Sequence, residues 1–213
     1  MSGLIGIKLG MTSIFSDNGS WVPVTVIECE PNVITQIKTT ASDGYDALQL
    51  AIVDKKEKNT TKALVGHFKK AEAAPKRYVF EFRGEAPDGV KLGDALTASD
   101  VLFEGALVDV VGVSKGKGFQ GGVKRHGFAG VGSRTHGQHN RERAPGSVGQ
   151  NTFPARVWRG KRMAGHDGME TVKIKNLAVV KIIKESNLVL VEGAVPGPKG
   201  RVVRIINTNR SLV

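Results

Sequence analysis

Short apolar-rich runs set off by turn signals fill both ends of the chain, and the middle shows neither such runs nor any strand alternation. "TSIF" and "WVPVTVIECE" flank "SDNGS". There Asn18-Gly19 supplies the dipeptide that tolerates the positive φ of a tight hairpin turn. "NVITQIK" and "DALQLAIVD" come next, separated by a turn near Asp43-Gly44, and "ALVDVVGV" is a further Val-rich run. After the middle come "ETVKIKNLAVVKII", a turn at Glu185–Asn187, "LVLVEGAV" and "RVVRIIN". Short Val/Ile-rich strands with glycine-marked turns predict a mainly β chain closed into a barrel. Helical spacing occurs once: Leu64, Phe68 and Ala71 recur at i, i+4 and i+7, which predicts a helix over Thr60–Ala73 ended by Pro75. The segment 55–94 is therefore read as a small α-containing insertion in a single barrel-based domain spanning 1–213. Trp21, on the second strand, is expected in the core. No internal repeat is seen.

From Gly112 to Gln150 neither period survives, and the charge balance gives the stretch its meaning. The chain of 213 residues carries a net charge of +11. Within Ser114–Gly165 stand Lys115, Lys117, Lys124, Arg125, Arg134, Arg141, Arg143, Arg156, Arg159, Lys161 and Arg162, against the single acid Glu142. The excess cation is therefore concentrated in one internal segment, and the rest of the chain is nearly neutral. The same segment holds twelve glycines, each costly to order. A segment so charged and so poor in apolar residues cannot fold around a core of its own. A solvated basic tail would be terminal and low in complexity. This segment is internal and carries Phe119, Phe128, Phe153 and Trp158; aromatic rings among cations suit base or sugar stacking beside phosphate contact, and packing on the body is the alternative for some of them, Trp158 included. Its partner is expected to be a polyanion, either nucleic acid or an anionic membrane surface.

Other chemistries are weakly supported. "GKGFQG" over Gly116–Gly121 matches the dinucleotide pattern of glycines, but the residues after it are expected to be too glycine-rich for the required helix, and no acid stands at the right distance. No Gly-Lys-Ser/Thr completes a phosphate loop. His126, His136 and His139 lack the cysteines or carboxylates of a metal centre, so no metal and no cofactor are expected. No nucleophile–base pair suggests catalysis; an enzyme acting on RNA would need one, and no enzyme is expected. Lys69, Lys70, Lys76 and Arg77 are read as a solvated face, with a second RNA contact as the alternative. No apolar run spans a membrane, and a lipid-surface protein would need a basic amphipathic helix that is missing. The opening "MSGLIGIKLGMT" is too short and glycine-rich for a signal peptide. The lone Cys29 excludes an internal disulfide and fits the cytoplasm.

Several ordered motifs together resemble the L-three family, universal proteins of the large ribosomal subunit. They are "GLIGIKLGMTSIF" at the start and the spacing Asp109-x2-Gly112-x-Ser114-x-Gly116-Lys117-Gly118-x2-Gly121-x3-Arg125. "GHFKKA", "RAPGSVGQN", "GKRMAGHDG" and "GAVPGPKG" also match in order. The likeness covers essentially the whole chain, and the length fits the bacterial type. It implies a β-barrel with an inserted subdomain on the solvent side of the large subunit. It implies direct binding of 23S rRNA near its 3′ end early in ribosome assembly, and an extension, here 114–165, that penetrates rRNA as a long loop toward the peptidyl transferase centre. Neighbours would include the ribosomal proteins L-fourteen and L-nineteen. Gly149, Gln150 and Asn151 match the family's tip. Gln150 matches a glutamine that a methyltransferase converts to N5-methylglutamine. On this reading the arginines make forked contacts to phosphates and base edges, and the lysines act as point charges on phosphates.

Overall fold

The apolar-rich runs form strands whose two faces are used differently along their length. The structure, a computed structural model, describes residues 3–211 except 17, 85–88, 132–135, 138 and 140, and the side chains of 209–211 lie outside the description. In chain order the elements are β1 (Gly3–Phe15), β2 (Trp21–Glu28), β3 (Asn32–Lys38), α1 (Thr40–Asp43), β4 (Ala47–Asp54), α2 (Lys62–Lys70), β5 (Lys76–Arg83), β6 (Ala95–Leu96), α3 (Ala98–Val101), β7 (Ala106–Val113), β8 (Gly118–Gln120), α4 (Gly122–His126), β9 (Gly165–Asp167), β10 (Thr171–Ile183), β11 (Leu188–Glu192) and β12 (Val202–Ser211). Six strands close into a barrel in the order β1-β12-β7-β10-β11-β2, with every described pairing antiparallel. Barrel closure removes the exposed edges that an open sheet of Val/Ile-rich strands would present.

A second sheet, β5-β4-β3-β6, packs on the barrel. The segment 55–94 carries α2 and β5, but its sheet is completed by β3, β4 and β6, outside those limits. One core runs through both layers, joining Leu4, Ile5, Val108, Val110 and Ile205 to Ile34, Leu50, Ile52 and Phe82. The first half of β1 is therefore buried on both faces. Close approach explains its glycines: a Cβ on Gly3 would lie 2.3 Å from a Phe82 ring carbon, and one on Gly6 would lie 2.5 Å from Ile27 Cγ2. Where β2 leaves the barrel to become β3, the buried Asn32 side chain takes over the pairing of Ile5. Its Oδ1 accepts from Ile5 N at 2.8 Å and its amide donates to Ile5 O at 3.1 Å.

Two polar barrel residues fix irregular backbone. The buried Lys8 ammonium donates to the carbonyls of Val195 (2.7 Å) and Gly197 (3.1 Å), pinning the loop that carries "GAVPGPKG". Asp109 on β7 accepts from Asn176 N at 3.0 Å and pairs with Lys173 at 2.7 Å, at the point where the β7–β10 register shifts between Ile174 and Leu177. Asn176 adopts φ 56° in that bulge. Burial alone would raise the Asp109 carboxyl, but Lys173 and the Asn176 amide outweigh it and hold the carboxyl below its ordinary range. A lowered carboxylate stabilises the fold fully above the ordinary carboxylate range, and the contribution fades as pH falls through the lowered value. With the half-exposed Lys173 discounted, Asp109→Ala is expected to cost about 1–2 kcal/mol through the lost bulge contacts. The expected fall in Tm is about 2–8 °C, and it should shrink in acid. A thermal melt at neutral and at acid pH checks it, and an unchanged neutral Tm would contradict this role.

Three expectations need correction. Trp21 is 70% exposed, in ring contact with the exposed Phe15 at 5.8 Å between centroids. At that end β2 pairs with β1 alone up to Pro23, and pairing to β11 begins only at Val24, so the ribbon has passed the barrel core. The helix is shorter than expected: α2 buries Phe68 and leads into buried Ala71, but Leu64 is 42% exposed. Finally, one turn of helix, α4, does come after "GKGFQG". Gly121 stands at its N-cap and Gly127 closes it in the left-handed region at φ 71°.

Candidate nucleic-acid interface

The chain divides into two compact units, the barrel with its second sheet and the inserted Ser114–Glu170. The inserted unit is built from its ends inward. Ser114 N donates to Glu170 O at 2.9 Å, and Glu170 N donates to Ser114 Oγ at 3.2 Å. β8 then pairs antiparallel with β9, with Gly118, Phe119 and Gln120 opposite Asp167, His166 and Gly165. Lys117 pairs with Asp167 at 3.0 Å and, chiefly through that contact, holds the Asp167 carboxyl below its ordinary value. The glycines permit backbone contact: a Cβ on Gly168 (φ 76°) would sit 2.2 Å from Lys115 O, and one on Gly130 (φ 78°) would sit 1.9 Å from Glu142 O. "GKGFQG" thus serves a short antiparallel pair and a single helical turn, unlike the parallel strand and long helix of a dinucleotide site.

Above the pair, Arg125 Nη1 donates to Met163 O at 3.0 Å, and His126 Nε2 lies 2.9 Å from the same oxygen. Arg125 is thus partly committed to joining the two chains of the unit. Nothing in the amino-acid pattern signals this, since a backbone carbonyl has no residue signature. Phe128 covers Gly122, which is the one buried residue among those described between 114 and 170. The unit therefore has hydrogen-bonded crossings but no apolar core among its described residues. Phe119, Phe153 and Trp158 are 76%, 78% and 59% exposed, and the Arg156 guanidinium lies over the Trp158 ring at 4.9 Å.

The cations are distributed along this coreless frame. Lys115, Lys117, Lys124, Arg141, Arg143, Arg156, Arg159, Lys161 and Arg162 are exposed, and Arg125 is half-buried. Arg134 lies outside the described residues. No described acid pairs with Lys115, Lys124, Arg141, Arg143, Arg159, Lys161 or Arg162 within salt-bridge distance. Over Ser114–Glu170 the eleven cations face three acids, Glu142, Asp167 and Glu170, which leaves a net +8 of the chain's +11. So dense a single-sign field is suited to a polyanion.

Gly149, Gln150 and Asn151 are all exposed, next to a turn in which Ser147 Oγ donates to Gly149 O at 3.1 Å. Gly149 has no left-handed φ, and a Cβ there would meet nothing within 4 Å. The fold itself does not require glycine at this position. Among the described residues no three His, Cys, Asp or Glu side chains gather as a metal's ligands would, and no helix is long and apolar enough to cross a membrane.

The profile of the family described as Ribosomal protein L3 matches residues 89–187. The chain is 54% identical over 204 residues to the large ribosomal subunit protein uL3 of Salinibacter ruber, covering 96% of this chain and 98% of that protein.

Proposed function

We propose that this chain, which belongs to the ribosomal protein L3 family and is a structural constituent of the large ribosomal subunit rather than an enzyme, binds 23S rRNA directly near its 3′ end and threads its basic unit toward the peptidyl transferase centre. It acts in the cytoplasm, within the ribosome. The observation that carries the reading is the inserted unit: a net +8 on a frame with no apolar core among its described residues.

Physical chemistry supplies the mechanism. Phosphates surround a segment threaded through folded RNA, so cations without protein partners gain charge-assisted hydrogen bonds and release condensed counterions. Glycine lets RNA and protein backbones approach closely. RNA supplies the packing that the unit's own sequence lacks, and these contacts offset the entropy of ordering it. The barrel, with its own core, anchors the chain early in assembly. The uncharged Gly149–Gln150–Asn151 stretch forms the tip nearest the catalytic centre and supplies no chemistry there. Gln150, exposed, is the substrate of a glutamine methyltransferase that leaves N5-methylglutamine. Partners beyond 23S rRNA are neighbouring large-subunit proteins, L-fourteen and L-nineteen among them.

Sucrose-gradient sedimentation of cell extract tests the reading. The protein is expected to co-migrate with the large subunit and to stay with it through purification. A protein found free, or with the small subunit, would overturn it.

A further inference from the structure

We infer that the bend Arg156–Arg159 is a binding site for one unstacked nucleobase, held on the free face of the Trp158 indole. The inference rests on the reading that the inserted unit lies against rRNA. It goes further by assigning a ligand class to particular side chains.

Three observations converge on this bend. Trp158 is 59% exposed in a unit where only Gly122, among the described residues, is buried. Arg156 stands over one indole face at 4.9 Å from the centroid. An open concavity of about 480 Å³ is lined by Arg156, Val157, Trp158 and Arg159, a volume within the range of small-molecule sites. A guanidinium over one face fixes the indole through cation–π attraction and leaves the other face for a planar partner. A base offers such a face whatever its identity, so stacking here is tolerant of sequence. Duplex RNA keeps its bases stacked on one another, so the partner must be an unpaired or splayed nucleotide. Arg159 lines the same space. Lys161 and Arg162 stand within four residues of the ring, placing cations for the phosphates that flank such a base.

The test uses the full chain with Trp21→Phe, which leaves Trp158 as the one tryptophan. Trp21 is itself exposed, so a smaller ring there disturbs no core. Emission is followed on titration with single-stranded oligoadenylate of about eight nucleotides, within the site sizes of single-strand binders, and with an abasic ribose-phosphate oligomer of equal length. Oligoadenylate is expected to quench Trp158, and the abasic oligomer is expected to bind without quenching. Trp158→Ala should weaken oligoadenylate binding about fivefold to 150-fold and leave abasic binding unchanged, while Trp158→Phe keeps most of the affinity. If both oligomers bind equally, with no quenching and no loss in Trp158→Ala, the base site is wrong and the phosphate contacts stand. If neither oligomer binds, the reading of the unit as an RNA contact fails, and the base site fails with it. Quenching by purified large-subunit proteins in place of oligoadenylate would assign the indole to a protein surface and overturn the inference.

Discussion

Deletion of Ser114–Glu170 is expected to leave a folded barrel whose RNA binding has lost most of its salt dependence. The design is permitted by register: Val113 and Thr171 are cross-strand partners in β7 and β10, so an Asn-Gly turn can join them as a hairpin. The core cluster lies entirely in the retained unit, so cooperative melting should survive. What disappears is eleven cations against three acids. If about six of those cations neutralise phosphates, the intact chain should give a slope of log K against log salt of about −4 to −5. The shortened chain should fall to about −1 or flatter. Filter binding to an rRNA fragment across a salt series, with circular dichroism on both proteins, measures this. A slope that survives the deletion would place the electrostatics on the barrel unit. The candidates there are Lys69 and Lys70 at the end of α2, because Lys76 is already paired with Asp54 at 2.7 Å and Arg77 lies 5.2 Å from the Tyr78 ring centroid.

Cations and tip are expected to fail in opposite ways. Arg159 is exposed and pairs with no described acid, so Arg159→Glu leaves the protein's own contacts intact and sets a negative charge against phosphate. One lost charge-assisted contact is worth about tenfold in affinity or more, and reversal adds repulsion, so large-subunit yield should fall severalfold. Arg125→Glu should lower yield as well, but through two routes, because that guanidinium also holds Met163 O. Gly149→Arg is the contrasting variant. Nothing described in the protein lies within 4 Å of a Cβ there, so any defect must come from what surrounds the tip in the ribosome. Yield should stay near normal, while peptidyl-transfer rate or sensitivity to drugs bound at that centre changes. Asn151→Asp should behave alike. Gradient profiles and peptide-bond assays on the same purified subunits decide it. Full incorporation with unchanged rate and drug response would show that 149–151 does not reach the centre.

The legible parts of this chain are those where one residue property settles one structural fact. Short Val/Ile-rich runs between turn signals locate the barrel strands, because β-branched side chains fit a pleated, largely buried surface. The same signal misplaces Trp21, since an apolar run marks a strand but not whether the strand still has a core beneath it. β2 between Trp21 and Pro23 has passed that core. Leu64 departs for a similar reason: its spacing from Phe68 suits a helix face, but α2 covers its sheet only toward Phe68 and Ala71. Glycine density argues against any helix after "GKGFQG", yet one turn needs few residues, and glycine serves well at both caps. The charged segment is visible from composition, although its hydrogen-bonded base extends past Gly165 to Glu170. Asn32 and Lys8 are invisible because their partners are backbone groups of distant strands and loops. Family membership comes from the order of several motifs and requires no such reasoning.

Directed hydroxyl-radical cleavage from the tip probes the threading of the basic unit through rRNA most directly. Cys29 is 1% exposed and its thiol is raised to about 12, by burial first and then by Glu28, so it stays protonated and unreactive at neutral pH. A thiol introduced as Gly149→Cys is then the one site that takes an iron chelate, and Lys58→Cys, exposed on the barrel unit, serves as the reference. In assembled large subunits the iron at position 149 is expected to cut 23S rRNA strands at the peptidyl transferase centre, and the iron at position 58 to cut a separate set of nucleotides away from it. Cuts from position 149 that spare the centre, or that coincide with those from position 58, would contradict the threading of this unit through rRNA.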